Sequence, residues 1–298
     1  MSWRDIQIVV ILIKGDLIMS YSAEISRTNP SCFLFLIDQS GSMIERFGGA
    51  QSSHTKAQIV ADAINRFIDS LGVRCTKNEG ILNYFDIGVI GYGTDVGSAF
   101  TSNSSSQILH SIGTIYPNHR MEKSIEQQMT GRGKIEDVEV NFPVWFDPKN
   151  YGGTPMCAGL RQAYNALEEW VNKHPDSFPP TVINITDGAS TDGDPTNEAN
   201  NIKQLGTNDG TVLLCNVHIS DKQATPIAFP DSEAMLPDSY AKLLFNISVT
   251  LPESFLGTAK NLGFAVTPNS KAFTFNADAV KLIQFLDIGT RTQQDNMR

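Results

Sequence analysis

A run of apolar residues at positions 31–37 (SCFLFLI) limits the folds that this sequence can adopt. A strand without polar alternation must be covered on both faces, which is the environment of a central strand in a parallel sheet. The run ends at Asp38, in a polar loop that contains glycine. Residues 55–71 follow, with apolar side chains every three to four positions, and Gly72 is expected to stop this amphipathic helix. The pattern predicts a strand–helix unit of an α/β fold.

The same alternation continues to the end of the chain. Strands followed by helices predict a doubly wound, mainly parallel central sheet with helices on both faces. Residues 117–150 have mixed charge and weak periodicity, so we expect an elaborated loop or a hairpin insertion there. Further strands are predicted at 84–92, at 96–100 as a hairpin partner, and at 181–185, 211–219 and 264–267. Further helices are predicted at 104–112, 156–173, 198–205, 237–245, 252–261 and 278–286.

The chain shows no internal repeat and no linker, which predicts a single domain over residues 19–290 and a tail at 291–298. Residues 1–18 are set apart as a leader, or as an extension upstream of a start at Met19. Their apolar run at 6–13 is interrupted well short of the ~20 residues that span a bilayer. We therefore expect no membrane span, although the run could form an extra edge strand.

The four cysteines show no paired metal-binding or redox spacing. Cys32 and Cys215 fall in apolar strand-like runs, and Cys75 and Cys157 are isolated, so buried free thiols are expected. Such thiols suit a reducing compartment, and the predicted location is cytoplasmic. The sequon at Asn184 does not favour secretion, because a glycan cannot fit inside an apolar strand.

The chain is acidic, with a formal net charge of −9. An acidic surface attracts cations and repels a nucleic-acid backbone, so no nucleic-acid partner is expected. The five histidines lack the spacing of a zinc site. A cation that prefers oxygen ligands is the remaining expectation.

Three polar loops carry the residues on which the functional prediction depends. Asp38-x-Ser40-x-Ser42 follows the first strand, Thr154 lies in a Gly-Gly-Thr-Pro loop before a helix, and Asp187 follows a central strand. Loops at the carboxyl ends of parallel strands gather at one edge of an open sheet, where ligands bind. We therefore expect these five side chains to converge. Taken singly, each also suits a turn or a helix cap, and Thr154 in particular suits an N-cap.

The side chains of these loops offer only hard oxygen atoms, from three hydroxyls and two carboxylates. Such a set suits Mg²⁺, with Mn²⁺ or Ca²⁺ as alternatives, rather than zinc or copper. Two formal negative charges leave a divalent cation electrophilic, and waters would complete its coordination shell. A carboxylate from another molecule could replace one of those waters. The chemistry predicts a metal that bridges this chain to an acidic partner.

The motifs DQSGSM at 38–43, GGTPM at 152–156 and TDG at 186–188 resemble the three parts of the metal-ion-dependent adhesion site (MIDAS) of von Willebrand factor type A (vWA) domains. The resemblance extends over about residues 31–288 and is to the bacterial and intracellular type. It is similar in general character to the vWA proteins of tellurium-resistance systems, which stand beside a protein kinase and a PP2C-type phosphatase. Segments 117–150 and 221–260 depart from the small adhesion-type domains.

The resemblance implies a Rossmann-like vWA fold and a complete MIDAS. By it, Ser40, Ser42 and Thr154 would coordinate Mg²⁺ directly. Asp38 and Asp187 would bind it directly or through water and would hold the hydroxyls in place. No catalytic residue is implied, and the expectation is a protein that is not an enzyme.

The leading functional prediction is a protein–protein binding module that docks an Asp or Glu of a partner protein through the metal, in a system with kinase and phosphatase partners. One alternative is an adaptor of an AAA+ ATPase, similar to those of chelatases. A second is a Mg²⁺-dependent phosphoester hydrolase, against which no nucleophile or general base is visible. Extracellular adhesion is disfavoured by the weak leader and the unpaired cysteines.

Two further charged pairs are better explained by structure than by function. Asp192 and Asp194 could tune a metal, but Asx-turn and capping roles before Pro195 are favoured. Arg132 and Lys134 could grip a phosphate or an acidic patch, but three acidic residues follow at 136–139, and a solvated loop is favoured.

Overall fold

The computed structural model describes residues 21–47, 54–101, 107–129, 135–219 and 225–276. The predicted helix at 278–286, the segment 1–18, the tail 291–298, Arg132 and Lys134 lie outside these ranges. The described strands are β1 (Ser31–Asp38), β2 (Thr76–Lys77), β3 (Gly80–Ile81), β4 (Phe85–Tyr92), β5 (Val96–Ser98), β6 (His110–Ser111), β7 (Arg120–Met129), β8 (Ile135–Val144), β9 (Thr181–Thr186), β10 (Gly206–Thr207), β11 (Gly210–Thr211), β12 (Leu213–His218), β13 (Ile227–Ala228) and β14 (Phe273–Phe275). The α-helices are α1 (Lys56–Cys75), α2 (Ile112–Ile115), α3 (Met156–Lys173), α4 (Thr196–Gln204), α5 (Ser239–Ile247) and α6 (Glu253–Asn261), and short 3₁₀ turns span Gly41–Ile44 and Glu233–Met235.

The described residues form a central sheet of eight strands, in the order β13-β14-β12-β9-β1-β4-β5, with β6 paired to β4. The pairs β14–β12, β12–β9, β9–β1 and β1–β4 are parallel, whereas β13, β5 and β6 add antiparallel edges. All eight residues of β1 are buried, as its uninterrupted apolar run predicts. The predicted fold class, a doubly wound and mainly parallel α/β sheet, is confirmed.

The two faces of β1 belong to two separate cores. Phe33 and Phe35 pack on Phe67 of α1, with ring centroids 5.2 and 5.4 Å apart. Leu34 and Leu36 point to the opposite core, which α3, α4 and α5 cover. Alternate side chains of this one strand therefore pack against helices on opposite faces of the sheet, as a doubly wound fold requires.

Helix α1 begins where the sequence predicts and runs further than predicted. Thr55 and Gln58 form a reciprocal capping box at its start. Gly72 does not stop the helix, which continues to Cys75. A Cβ at Gly72 would lie 1.9 Å from the ring of Tyr116, so this glycine provides room for an aromatic side chain.

The predicted insertion at 117–150 contains an antiparallel hairpin, in which β7 and β8 pair over their full length. Trp145 anchors its base to the core. Its indole N–H donates to the carbonyl of Ile115 at 2.9 Å, and its backbone N–H donates to Oδ1 of Asn65 at 2.9 Å. The segment 221–260, also set apart by the sequence, contributes α5 and α6 to the two faces of the sheet.

Two of the predicted elements are wrong. In the described part of 104–112, residues 110–111 form strand β6 against β4, and the helix there is the short α2. Residues 264–267 are not a strand, because the backbone N–H of Phe264 is bonded to the carbonyl of Ala259 at the end of α6. The last strand of the described chain is instead β14, which pairs parallel to β12. None of the described helices is long and apolar enough to cross a bilayer.

Candidate metal centre

The predicted site residues gather at the carboxyl edge of the sheet. Asp38 is the last residue of β1, and Asp187 directly follows β9. Because β1 and β9 are parallel neighbours, both carboxylates emerge at the same edge. The topology thus brings together two residues that are far apart in the chain.

Asp38 is fully buried, and hydrogen bonds fix both of its carboxylate oxygens. Oδ1 accepts the backbone N–H of Ser40 at 2.8 Å, and Oδ2 accepts the hydroxyl of Thr186 at 2.6 Å. Burial raises the pKa of Asp38, while the bonds from Ser40 and Thr186 act to lower it. The carboxylate therefore ties the loop after β1 to the end of β9.

A chain of hydroxyls continues from Asp38 to Asp187. The hydroxyls of Ser40 and Ser42 lie 3.0 Å apart. Ser42 donates its hydroxyl to Oδ1 of Asp187 at 2.8 Å. Four of the five predicted residues thus belong to one connected cluster of oxygen atoms.

The loop of Thr154 lies against the loop that carries Ser40 and Ser42. The backbone N–H of Gly41 donates to the carbonyl of Gly152 at 3.0 Å, and that of Tyr151 donates to the carbonyl of Gln39 at 2.7 Å. Gly152 has a φ of +94°, and a Cβ there would lie 2.6 Å from the backbone N of Thr94. Glycine is required at this position by both its conformation and its close contact.

Thr154 is buried, and its backbone is fastened to the segment that follows Asp187. Its N–H donates to the Thr191 hydroxyl at 2.9 Å, and its carbonyl accepts the N–H of Thr191 at 2.9 Å. Among the described residues, the Thr154 hydroxyl has no hydrogen-bond partner and does not cap α3. Although the residue is buried as a whole, its hydroxyl oxygen stays accessible, so a ligand atom can reach it.

The cap of α3 comes instead from Asp192. Its two carboxylate oxygens accept the N–H groups of Cys157 at 3.0 Å and Ala158 at 2.9 Å. Asp194 accepts the N–H of Thr196 at 2.9 Å at the start of α4. The predicted turn or capping role before Pro195 is confirmed for Asp194, whereas Asp192 caps the distant helix α3.

Lys56, which was not recognised from the sequence, contacts the site through Asp187. The residue is 2% exposed, although it is a lysine at the start of a helix. Its ammonium donates to Oδ2 of Asp187 at 2.9 Å and to Oε2 of Glu45 at 2.7 Å. Burial acts to lower the pKa of Lys56, but Glu45 and Asp187 outweigh it and the pKa is raised. A cation in the first turn of a helix opposes the helix dipole, and this was the available sequence signal.

A network of buried polar side chains lies within the sheet next to the site. The hydroxyl of Tyr92 donates to Asn184 at 2.7 Å, Asn184 donates to Asn216 at 2.9 Å, and Asn216 donates to Ser248 at 2.9 Å. Burial raises the pKa of Tyr92 well above its usual value. Asn184 is fully buried in β9, which leaves no space for a glycan. The network links β4, β9 and β12 within the sheet, close to the oxygen cluster.

The donor set fits a hard divalent cation. Two carboxylates and two hydroxyls are already connected, and the Thr154 hydroxyl lies on the adjoining loop. Within the described ranges, no group of three or more His, Cys, Asp or Glu side chains could hold a metal ion. Oxygen-only donors of mixed charge favour Mg²⁺ or Mn²⁺ over zinc.

Two large exposed side chains belong to the loops that carry the cluster. Ile44, in the turn after Ser42, is 59% exposed, and Tyr151, next to Gly152, is 71% exposed. Both backbones are held, because the turn Gly41–Ile44 is hydrogen-bonded and Tyr151 bonds to Gln39 and Thr94. We name these two residues the apolar rim of the site.

Comparison with known proteins found no matching protein-family model and no matching curated protein. Solved structures that are similar include proximal thread matrix protein 1 from the mussel byssus, with a zinc-occupied MIDAS motif, at 18% identity and a TM-score of 0.46 over 91% of this chain and 49% of that one. The PilB minor pilin of Streptococcus sanguinis, as its D319A mutant, is 12% identical with a TM-score of 0.48, over 90% of this chain and 62% of that one. The vWF domain of the type V pili tip protein Mfa5 of Porphyromonas gingivalis is 18% identical with a TM-score of 0.29, over 54% of this chain and 38% of that one. The chain thus spans about half the length of the mussel protein. Because these likenesses are weak, the functional assignment rests on the site itself.

Proposed function

We propose that this chain is a metal-dependent protein-binding module of the vWA type. Asp38, Ser40, Ser42, Thr154 and Asp187 would hold one divalent cation, Mg²⁺ in the cell, to which an Asp or Glu of a partner protein binds. The connected oxygen cluster from Asp38 to Asp187 carries this proposal. Its order in the sequence, DxSxS then Thr then Asp, is that of the MIDAS.

The charges of the site support an acidic ligand. The ligand set provides only two formal negative charges, and Lys56 offsets one of them. When bound, the cation supplies a Lewis-acidic position for a carboxylate oxygen. The protein's own residues fix that position and leave the remaining charge to come from the partner.

The apolar rim supports a protein rather than a small anion as the ligand. An exposed tyrosine on a rigid backbone provides contact area at low cost in conformational entropy. Aromatic side chains beside a polar centre are typical anchors of protein interfaces. Ile44 and Tyr151 would contact the partner on either side of its carboxylate.

Hydrolysis is a weaker alternative. A hydrolase needs a general base near the metal, and Lys56 is an amine that contacts the oxygen cluster directly, through Asp187. Its ammonium is bonded to two carboxylates and its pKa is raised, so it cannot accept a proton near neutral pH. We therefore propose a role in binding and not in catalysis.

The proposed cellular compartment and partners rest on the sequence resemblance and on the state of the cysteines. All four cysteines are free and buried, which favours a reducing compartment, and we propose the cytoplasm. A bacterial system with kinase and phosphatase partners remains our first choice of setting. An AAA+ ATPase partner is the alternative, and ATP-dependent co-purification of a ring ATPase would distinguish it.

The test is a pull-down from native lysate by the tagged protein, in Mg²⁺ and in EDTA. Thr154→Ala should lose the captured partner, because it removes a metal ligand that makes no hydrogen bond within the described protein. Thr114→Ala, an exposed hydroxyl on α2, is the matched control and should retain the partner. Capture that survives both EDTA and Thr154→Ala would refute the proposal.

A further inference from the structure

A buried lysine is an unexpected neighbour for a divalent cation. The side chain of Lys56 is 3% exposed, and that of Asp187 is fully buried in their ion pair. The other partner, Glu45, has a side chain that is 51% exposed. Water therefore screens the charge of Glu45, while the charges of Lys56 and Asp187 act at close range.

The two carboxylate oxygens of Asp187 have different partners, and Lys56 binds only one of them. Oδ2 accepts the ammonium at 2.9 Å, and Oδ1 accepts the Ser42 hydroxyl at 2.8 Å. Only Oδ1 faces the hydroxyl cluster. Lys56 is thus a positioning residue that holds the carboxylate in one orientation.

The formal charges show what this lysine changes. Among the buried groups, Asp38 and Asp187 contribute two negative charges and Lys56 one positive charge, which leaves a net charge of about −1; the exposed Glu45 is not counted because water screens it. A divalent cation brings the sum to +1, and a partner's carboxylate brings it to zero. Without Lys56, the cation alone would reach zero, and the carboxylate would leave a surplus of negative charge.

We propose that Lys56 couples metal binding to binding of the acidic ligand, so that the site holds its cation firmly only when a carboxylate is present. This inference rests on the proposed function and adds its regulation. A metal-loaded site that carries a positive charge selects acidic partners over neutral ones. It also releases the cation more readily once the partner leaves.

The test measures Mn²⁺ binding by electron paramagnetic resonance, on the full chain, in sodium acetate and in sodium chloride of equal ionic strength. Protein-free titrations correct for acetate–Mn²⁺ complexes. In the wild type, acetate should tighten Mn²⁺ binding. Lys56→Met, which has a similar length and is apolar, should bind Mn²⁺ at least about tenfold more tightly in chloride, because a repelling charge is removed. Its gain from acetate should be severalfold smaller than that of the wild type.

Two further variants separate charge from position. Lys56→Gln keeps a hydrogen-bond donor for Asp187 without the charge, and it should behave like Lys56→Met if charge is decisive. Glu45→Gln removes the screened carboxylate and should change Mn²⁺ affinity by less than about threefold. Thermal melts establish that each variant is folded. If Lys56→Met does not fold, Lys56→Gln replaces it in the comparison with the wild type.

Each outcome decides a different question. No Mn²⁺ binding by the wild type in either salt overturns both the proposed function and this inference. Wild-type binding that acetate does not tighten overturns the inference alone. The inference is also overturned if both folded Lys56 variants bind Mn²⁺ no more tightly than the wild type, or if they keep the same gain from acetate. In either case the proposed metal site is unaffected.

Discussion

Oδ2 of Asp38 accepts the hydroxyl of Thr186 at 2.6 Å, and this bond joins the carboxyl ends of two adjacent parallel strands. Thr186 is itself fully buried. The residue directly before Asp187 therefore holds Asp38 in place. Thr186 therefore fixes Asp38 through its hydroxyl and Asp187 through the peptide bond that joins the two residues.

Thr186→Val should lower the free energy of unfolding by about 1–3 kcal/mol, because it leaves a buried carboxylate oxygen without its donor. The shape of the side chain is retained, so packing is preserved. Urea denaturation of the metal-free protein measures the change. Thr114→Val, at an exposed position of α2, is the control and should remain within about 0.5 kcal/mol of the wild type. A wild-type stability for Thr186→Val would show that the bond is not formed.

Thr154→Ala should reduce Mg²⁺ affinity at least about tenfold, since it removes a proposed ligand. Its unfolding free energy should change by less than about 1 kcal/mol, because the hydroxyl makes no hydrogen bond among the described residues. Isothermal titration calorimetry and urea denaturation measure the two effects. Equal Mg²⁺ affinity of variant and wild type would remove Thr154 from the ligand set.

Tyr151→Ala should weaken capture of the partner at least about tenfold and leave Mg²⁺ affinity unchanged, as expected of an interface anchor. Val73→Ala is the matched control, because Val73 is 60% exposed on α1 and lies outside the apolar rim. Surface plasmon resonance with the captured partner compares them. Equal losses in the two variants would mean that the rim has no special role.

Asp192→Ala should destabilise the protein by about 1–2 kcal/mol, the usual cost of losing a helix cap. Desolvation acts to raise the pKa of Asp192, but the bonds from Ala158, Ser190 and Cys157 dominate and the pKa is lowered. This stabilisation is present above the carboxyl's unfolded pKa and is lost as the pH falls through the folded pKa. The difference between wild type and variant should therefore be present at pH 7 and disappear in acid. Urea denaturation across pH 2–7 tests it, and a difference that grows in acid would contradict it.

The four thiols should resist Ellman's reagent in the native protein at pH 8. Burial raises the pKa of Cys215 to about 12 and that of Cys75 to about 11. Burial likewise raises the pKa of Cys32 and Cys157. Because only the thiolate reacts, reaction should be slow until denaturant exposes all four thiols. Rapid reaction of one thiol in the native state would identify an opening that this structure does not contain.

Much of the fold could be predicted from local pattern. The strands at 31–37, 84–92 and 181–185 were found because buried parallel strands are mainly apolar. The strand predicted at 264–267 was wrong because its first backbone donor is used by the end of α6. The pairing of β14 with β12 depends on tertiary contact, and no local pattern at 273–275 distinguishes it from other short apolar segments.

The sequence by itself determined the oxygen donors of the site and the edge of the sheet at which they gather, because strand ends and loop composition are local properties. Metal binding by those donors remains a prediction. Only the tertiary structure decided that Thr186 orients Asp38, that Asp192 and not Thr154 caps α3, and that Lys56 pairs with Asp187, 131 positions away. These are contacts between distant segments, and their energy comes from burial and from charge at short range. Neither quantity exists until the chain has folded.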